Sequence, residues 1–112
     1  MTMRELVLSK LDTIALEVER RSGIGGLTYQ FVERQQGKNK EWCYYLLAYV
    51  PATMLGVMAN NLKAVEIEIV ITPIEDGKLF YTAKFQYQHK DGGSNGMSVM
   101  TEDGREPVRG WV

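Results

Sequence analysis

Hydrophobic positions in the first part of the chain follow the helical repeat. Apolar residues recur there at spacings of four, three and four, which places them along one face of an α-helix: Val7, Leu11, Ile14 and Val18. Thr2 and Glu5 form a capping-box pattern before this run, and Gly23 stands where a left-handed C-terminal cap is expected. The pattern therefore predicts a helix over residues 3–21.

After the helix, the chain changes to the two-residue period of β-strands. The alternation is clearest over residues 65–72, where isoleucine and valine fall on every second position. Runs rich in β-forming residues predict further strands over residues 27–33, 41–50, 79–87 and 97–101. Most of the connections have the length and polarity of hairpin turns, so neighbouring strands are expected to be antiparallel.

A proline-led segment separates the second and third predicted strands. Pro51 suits the first turn of a helix, and apolar residues follow on one face, so residues 51–62 are predicted to form a short second helix. The order of elements predicts an α+β fold: an N-terminal helix packed on one face of an antiparallel sheet of about five strands. We expect a single domain over residues 1–112, with 102–112 as a flexible or docking C-terminal tail.

Composition and charge narrow the function classes. With 112 residues, 45% hydrophobic and 24% charged, the chain matches an ordinary globular domain with one core. A formal charge of −1 gives no general attraction to nucleic acid or to anionic membranes. The single cysteine, Cys43, excludes an internal disulfide, and no secretory signal or spanning segment is apparent, so a cytoplasmic protein is expected. Small bacterial and phage accessory proteins commonly have this profile.

Few residues offer catalytic chemistry. Glu66 and Glu68 share one strand face roughly 6.6 Å apart, near the spacing of an acid–base pair in inverting glycosidases, but a polar strand face favours ordinary solvated carboxylates. Cys43 and His89 are the single residues of their kinds, and Cys43 lies among aromatic residues in an apolar strand. An inert thiol is favoured there over a nucleophile or zinc ligand. We expect no enzymatic activity, no metal and no cofactor.

Two segments raise the question of ligand binding. Lys38 and Lys40 precede aromatic residues, as in proteins that bind single-stranded nucleic acid, but neighbouring glutamates offset their charge and disfavour that partner. Residues 90–98 read KDGGSNGMS; a hairpin turn is favoured over a phosphate loop because strands lie on both sides and the lysine precedes the glycines. The alternative function is binding of an anionic metabolite or nucleotide by this loop and the C-terminal arginines. Its candidate residues are Asp91, Ser94, Asn95, Arg105, Arg109 and Trp111.

The leading hypothesis comes from an excess of apolar side chains on the sheet. The first helix can cover one face, and six apolar side chains then remain on the other: Cys43, Tyr45, Leu47, Tyr49, Val70 and Phe80. Exposed apolar patches of that size usually mark an interface. We therefore expect a non-catalytic interaction module that forms a homodimer or larger oligomer and binds or inhibits a protein partner. The interface would be this sheet face, the wide apolar arc of the helix, or both; the competing interpretation is that the tail, with Val108 and Trp111, folds over the face.

Overall fold

The computed structural model describes residues 1–50 and 62–112, in which one helix precedes six strands. The elements are α1 (Met3–Ser22), β1 (Thr28–Gln36), β2 (Glu41–Tyr49), β3 (Leu62–Pro73), β4 (Leu79–His89), β5 (Ser94–Ser98) and β6 (Arg109–Trp111). An N-terminal helix on an antiparallel sheet confirms the predicted α+β class. The second helix expected over residues 51–62 falls outside the described residues, apart from Leu62, which begins β3.

Local capping determines both ends of α1. The Thr2 hydroxyl accepts a hydrogen bond from the backbone N–H of Glu5, and the Glu5 carboxylate accepts one from the backbone N–H of Thr2. At the other end, Gly23 adopts φ 73° and donates its N–H to the Glu19 carbonyl at 2.9 Å. Glycine takes this left-handed conformation without steric cost. The predicted helix is therefore confirmed, with its observed end one residue further along.

The sheet is antiparallel throughout and has two dissimilar edges. Its order is β1-β2-β3-β4-β5, and β6 also pairs with β4. β5 and β6 lie one after the other along the same side of β4, with β5 opposite residues 84–88 and β6 opposite residues 80–82. One edge of the described sheet is therefore a continuous strand of nine residues, β1, and the other is divided between strands of five and three residues.

The core lies between α1 and one face of the sheet, called here the helix-side face. The helix contributes Val7, Ile14 and Val18, all fully buried. Alternate residues of the strands face them: Tyr44, Leu46, Ala48, Val65, Ile67, Ile69, Ile71, Leu79, Tyr81 and Ala83, each at most 8% exposed. Burying one such aliphatic side chain is worth about 1.5–3 kcal/mol, so this face supplies most of the folding energy.

Several strand boundaries differ from the prediction: β3 begins three residues earlier and β4 ends two residues later than expected, and β1 and β5 differ as follows. β1 continues to Gln36, three residues beyond its predicted end, because Arg34, Gln35 and Gln36 pair with the start of β2. The fifth strand was predicted over 97–101 but spans Ser94–Ser98. Its residues are exposed on both sides of the sheet, as is common for an edge strand. Such a strand can contain polar residues and glycine, which in the sequence indicated a loop.

The C-terminal residues 102–112 return to the sheet. Ala83, in the middle of β4, accepts a hydrogen bond from Val99 N–H at 3.0 Å and donates one to the Val108 carbonyl at 3.1 Å. Leu79 and Val112 exchange two backbone hydrogen bonds, both 2.9 Å long. Val99 and Val108 are both buried, so the segment after β5 extends the core as well as the sheet.

Candidate functional site

The sheet face turned away from α1, called here the outer face, carries the predicted interface residues. Strand register places Tyr45 directly between Val32 and Val70, and Val70 opposite Thr82, so an apolar row crosses three strands. Leu47 and Tyr49 continue along β2 beside this row. All six predicted residues share the face because the pleat sends alternate side chains to the same side: Cys43, Tyr45, Leu47, Tyr49, Val70 and Phe80.

These side chains are only partly removed from solvent. Tyr49 is 41% exposed, and the other five are half-buried. Trp111 adds to the same face because β6 pairs it with Phe80, with ring centroids 5.1 Å apart. Trp111 is itself 57% exposed. The tail therefore contributes one indole at a corner of the outer face, and no other element of the described chain covers the row through Tyr45.

Polar and charged groups surround the apolar row. The Arg34 guanidinium lies 4.7 Å from the centre of the Tyr45 ring, and the Tyr49 hydroxyl donates to Gln30 at 2.8 Å. Glu68 pairs across the strands with Lys84. Aromatic residues and arginine inside a polar rim are typical of protein–protein interfaces. The aromatic rings of this arrangement are held in place by their neighbours.

The catalytic candidates are not assembled into a site. Cys43 donates its thiol to Gln36 at 2.8 Å, near the start of β2. His89 lies at the far end of β4, where its ring is 3.3 Å from the Asn95 amide. Glu66 and Glu68 are half-buried on the outer face, as expected for carboxylates on an amphipathic strand. In residues 1–50 and 62–112, no group of three His, Cys, Asp or Glu residues is arranged to hold a metal ion.

The residues of the alternative ligand site lie in two groups. Asp91 accepts a hydrogen bond from Gly93 N–H at 3.1 Å inside the β4–β5 turn, and Asn95 pairs with Tyr87. Arg109 pairs instead with Thr82, five residues back along β4, which corresponds to about 17 Å. Ser94 belongs to the first group and Trp111 to the second, while the highly exposed Arg105 lies 4.0 Å from Asp103 in the loop before β6. The structure does not bring the glycine-rich turn and these arginines together.

A polar cluster that the sequence analysis missed joins α1 to the tail. The Arg21 guanidinium donates to the Arg109 carbonyl and lies 3.4 Å from both the Tyr81 hydroxyl and the Glu106 carboxylate. The Tyr81 hydroxyl donates to Glu17 at 2.5 Å. Burial and the bond to Glu17 raise the pKa of Tyr81. Because the polar groups of these residues hydrogen-bond with one another, we interpret the cluster as a structural clamp between α1 and the C-terminal residues.

One cavity lies beside this end of the sheet. It has a volume of about 510 Å³ and is lined by Ile74, Glu75, Asp76, Lys78, Trp111 and Val112. The lining combines one aromatic ring with charges of both signs.

No helix in the described part of the chain is both long and apolar enough to cross a bilayer.

Comparison with protein-family models, curated proteins and solved structures gives no match to this chain.

Proposed function

We propose that this chain is a small non-catalytic interaction module that self-associates and binds or inhibits a protein partner through the outer face. The observation that carries the proposal is the apolar row Val32–Tyr45–Val70, which lies uncovered by any described element. Tyr49 and Trp111 extend it with large exposed rings. Soluble monomers rarely keep apolar patches larger than a few hundred Å² in contact with water.

Side-chain rigidity adds to the argument. Tyrosine and tryptophan bury a large area while losing few rotatable bonds, which is why they dominate binding energy at interfaces. The Tyr45 ring lies beneath the Arg34 guanidinium, and the Tyr49 hydroxyl is hydrogen-bonded to Gln30. The Trp111 ring packs against Phe80. Part of the ordering cost of binding is therefore already met in the free chain.

The first experiment measures self-association. Light scattering coupled to gel filtration should give a mass above 12.7 kDa for the wild type and close to 12.7 kDa for Leu47→Lys and Tyr45→Lys. Gln88→Lys is the matched control, since it adds the same charge to the same face at the exposed end of β4. A wild type that stays monomeric at high micromolar concentration would contradict self-association.

The second experiment addresses the partner. Affinity capture with the wild type and with Gln88→Lys should retain the same protein, and Leu47→Lys should lose it while keeping the wild-type circular dichroism spectrum. A partner that binds all three variants equally would show that the outer face is not its binding surface.

The absence of catalysis is tested separately. Turnover that depends on Glu66, Glu68 or His89 would overturn the non-catalytic assignment.

One observation favours the alternative function, binding of a small anionic ligand. The cavity beside Trp111 includes Lys78, so a ring and one positive charge lie at its wall, next to the carboxylates of Glu75 and Asp76. A panel of nucleotides and phosphorylated metabolites should then raise the melting temperature of the wild type, and Lys78→Ala should abolish the shift. Arg109→Ala tests the C-terminal arginines, and Asp91→Ala tests the glycine-rich turn as a separate site. The absence of any thermal shift would remove this alternative.

A further inference from the structure

The free side of β1 lacks several of the features that usually protect a sheet edge, although the strand carries two charged residues, Glu33 and Arg34. β1 pairs with β2 through nine consecutive residues, from Thr28 to Gln36, with an unbroken register. Its sequence, TYQFVERQQ, contains no proline and no lysine. Edge strands of natural monomers are commonly short, bulged, covered, or marked by such residues, because their unpaired N–H and C=O groups otherwise recruit another strand. Within residues 1–50 and 62–112, nothing pairs with this side of β1.

The opposite edge of the sheet is protected against pairing with another chain, because its strands are short and interrupted. There β5 has five residues and β6 has three, and the loop before β6 interrupts them. Glycine occurs in both strands, at Gly96 and Gly110. A second chain would find no continuous edge there, whereas β1 offers about 30 Å of one.

We propose that β1 pairs antiparallel with β1 of a second copy of this chain, about a two-fold axis through Val32. Val32 is the midpoint of Thr28–Gln36, so this register pairs all nine residues of both strands. An axis perpendicular to the sheet leaves both helices on one side and both outer faces on the other. The result is one continuous sheet in which the rows through Tyr45 and Val70 meet at the two Val32 residues.

Charge limits the registers in which a second copy can pair with β1. β1 carries one acidic and one basic residue, Glu33 and Arg34. With the axis at Val32, Glu33 lies opposite Phe31 and Arg34 lies opposite Gln30 of the other copy. Centring the pair on Glu33 or Arg34 would set like charges directly opposite each other, which is destabilising in antiparallel sheets. The register that uses the full length of the strand avoids both of these like-charge pairs.

The helix supplies contacts beside this edge. Arg4 bonds Glu33 at 2.6 Å and Glu19 accepts from Tyr29 at 2.8 Å, so one flank of α1 lies alongside β1. Leu8 follows Arg4 by one helical turn on the same flank and is 38% exposed. Edge pairing brings the two Leu8 flanks toward each other above the sheet, which adds apolar burial to the backbone hydrogen bonds.

This inference rests on the self-association in the proposed function, but not on the outer face as the contact between copies. The two are separable because β1 lies at the rim of the sheet and Leu47 lies inside it. The outer face of an edge-paired dimer would remain free for the protein partner.

A cysteine placed on the axis tests the geometry directly. In a Cys43→Ser background, Val32→Cys puts two thiols on facing residues, whose α-carbons in antiparallel pairs are about 4.5–5.5 Å apart, within disulfide reach. Gln30→Cys is the matched control, because in this register the two introduced cysteines would lie four residues, about 13 Å, apart along the paired strands. Mild oxidation should give a disulfide-linked dimer for Val32→Cys alone. Equal cross-linking of both variants, or none of Val32→Cys, would overturn the proposal.

A charge swap provides the second test, read out by analytical ultracentrifugation. Gln30→Lys sets a lysine opposite Arg34 of the other copy at two symmetric positions, and should raise the dimer dissociation constant about tenfold. Arg34→Glu alone should change it little, and the double variant should restore wild-type affinity. Failure of Arg34→Glu to restore the dimer would rule out this register.

The outer-face variant separates the two proposals. If Leu47→Lys dissociates the dimer and the charge swap has no effect, the copies meet through the outer face and the edge inference is wrong while the proposed function stands. If the charge swap behaves as expected and Leu47→Lys loses neither mass nor partner, the edge inference stands and the outer face is not the docking surface.

Discussion

The two faces of the sheet are made by the same strands but have different compositions and surroundings. On the helix-side face, β3 presents Val65, Ile67, Ile69 and Ile71, and each is at most 8% exposed. On the outer face, the same strand presents Glu66, Glu68, Val70 and Thr72, none of which is buried. The helix-side positions of β3 are all aliphatic, and α1 closes that face. The outer face mixes rings, charges and apolar groups, a composition suited to contacts that form and dissociate.

This difference separates stability from recognition. Substitutions on the helix-side face should unfold the chain, and substitutions on the outer face should change what it binds.

Ile69→Ala should have the largest effect. Ile69 is fully buried in the central strand β3, so its truncation removes apolar burial and leaves a cavity beneath α1. We expect a loss of about 2–5 kcal/mol in the free energy of unfolding, measured by urea denaturation. Val70→Ala, one residue along on the outer face, is the matched control and should lose less than about 1.5 kcal/mol. Equal losses would show that the outer face is also core.

Tyr81→Phe should be intermediate. The change keeps the ring but removes the hydroxyl that donates to Glu17 and lies beside Arg21. Leaving those partners with one bond fewer should lower the free energy of unfolding by about 1–3 kcal/mol. The same denaturation experiment measures it, with Tyr45→Phe on the outer face as control. A neutral result for Tyr81→Phe would mean that water replaces the lost hydroxyl.

The pKa shifts predict a weaker, pH-dependent loss. Burial, together with hydrogen bonds to Glu19 and Glu17, raises the pKa of Tyr29 and of Tyr81, and burial raises that of Tyr87. A raised folded-state pKa means that the stabilisation is complete below the ordinary tyrosine value near 10 and is lost as pH rises from there through the folded-state pKa. Melting temperature should therefore fall above about pH 10. Tyr81→Phe should flatten that fall, and an unchanged slope would count against the assignment.

Leu47→Lys should change stability least. Leu47 is half-buried on the outer face, where a lysine stem can lie along its neighbours and extend its charge into water. We expect a change below about 1 kcal/mol in the free energy of unfolding of the monomer, measured at low protein concentration, with a clear loss of binding to the protein partner. A loss as large as that of Ile69→Ala would remove the distinction between the two faces.

The elements that sequence predicted well are those governed by neighbouring residues. The capping residues Thr2, Glu5 and Gly23 act within one turn of α1, so they can be read directly from the chain. Strict alternation of apolar and polar residues identified β3. One helix can cover only one face of the sheet, and this placed Tyr45 and Leu47 on the outer face. These inferences need only local periods and composition.

The features that were missed depend on distant pairing. β6 has three residues, RGW, too few to show a period, and it exists because β4 offers a place beside β5. Arg21 lies in the last turn of α1, where a basic residue suits the helix dipole, but its side chain bonds the Arg109 carbonyl, 88 residues away. Val32 and Trp111 join the outer face only through strand register. Such contacts depend on how the strands pair in the folded sheet, so no local sequence pattern predicts them.

The clamp between α1 and the tail also constrains the order of folding. The helix is synthesised before the strands, yet the Arg21 carbonyl at its end accepts a hydrogen bond from Glu102 N–H, and the Arg21 guanidinium donates to the Arg109 carbonyl. On the ribosome, α1 must therefore remain incompletely docked until β4 and β6 have emerged. Closing a loop of about 80 residues costs roughly 4 kcal/mol of chain entropy, and such non-local contacts slow folding. The nascent chain would expose the apolar side of α1 throughout that interval, when chaperones have their best opportunity to bind it.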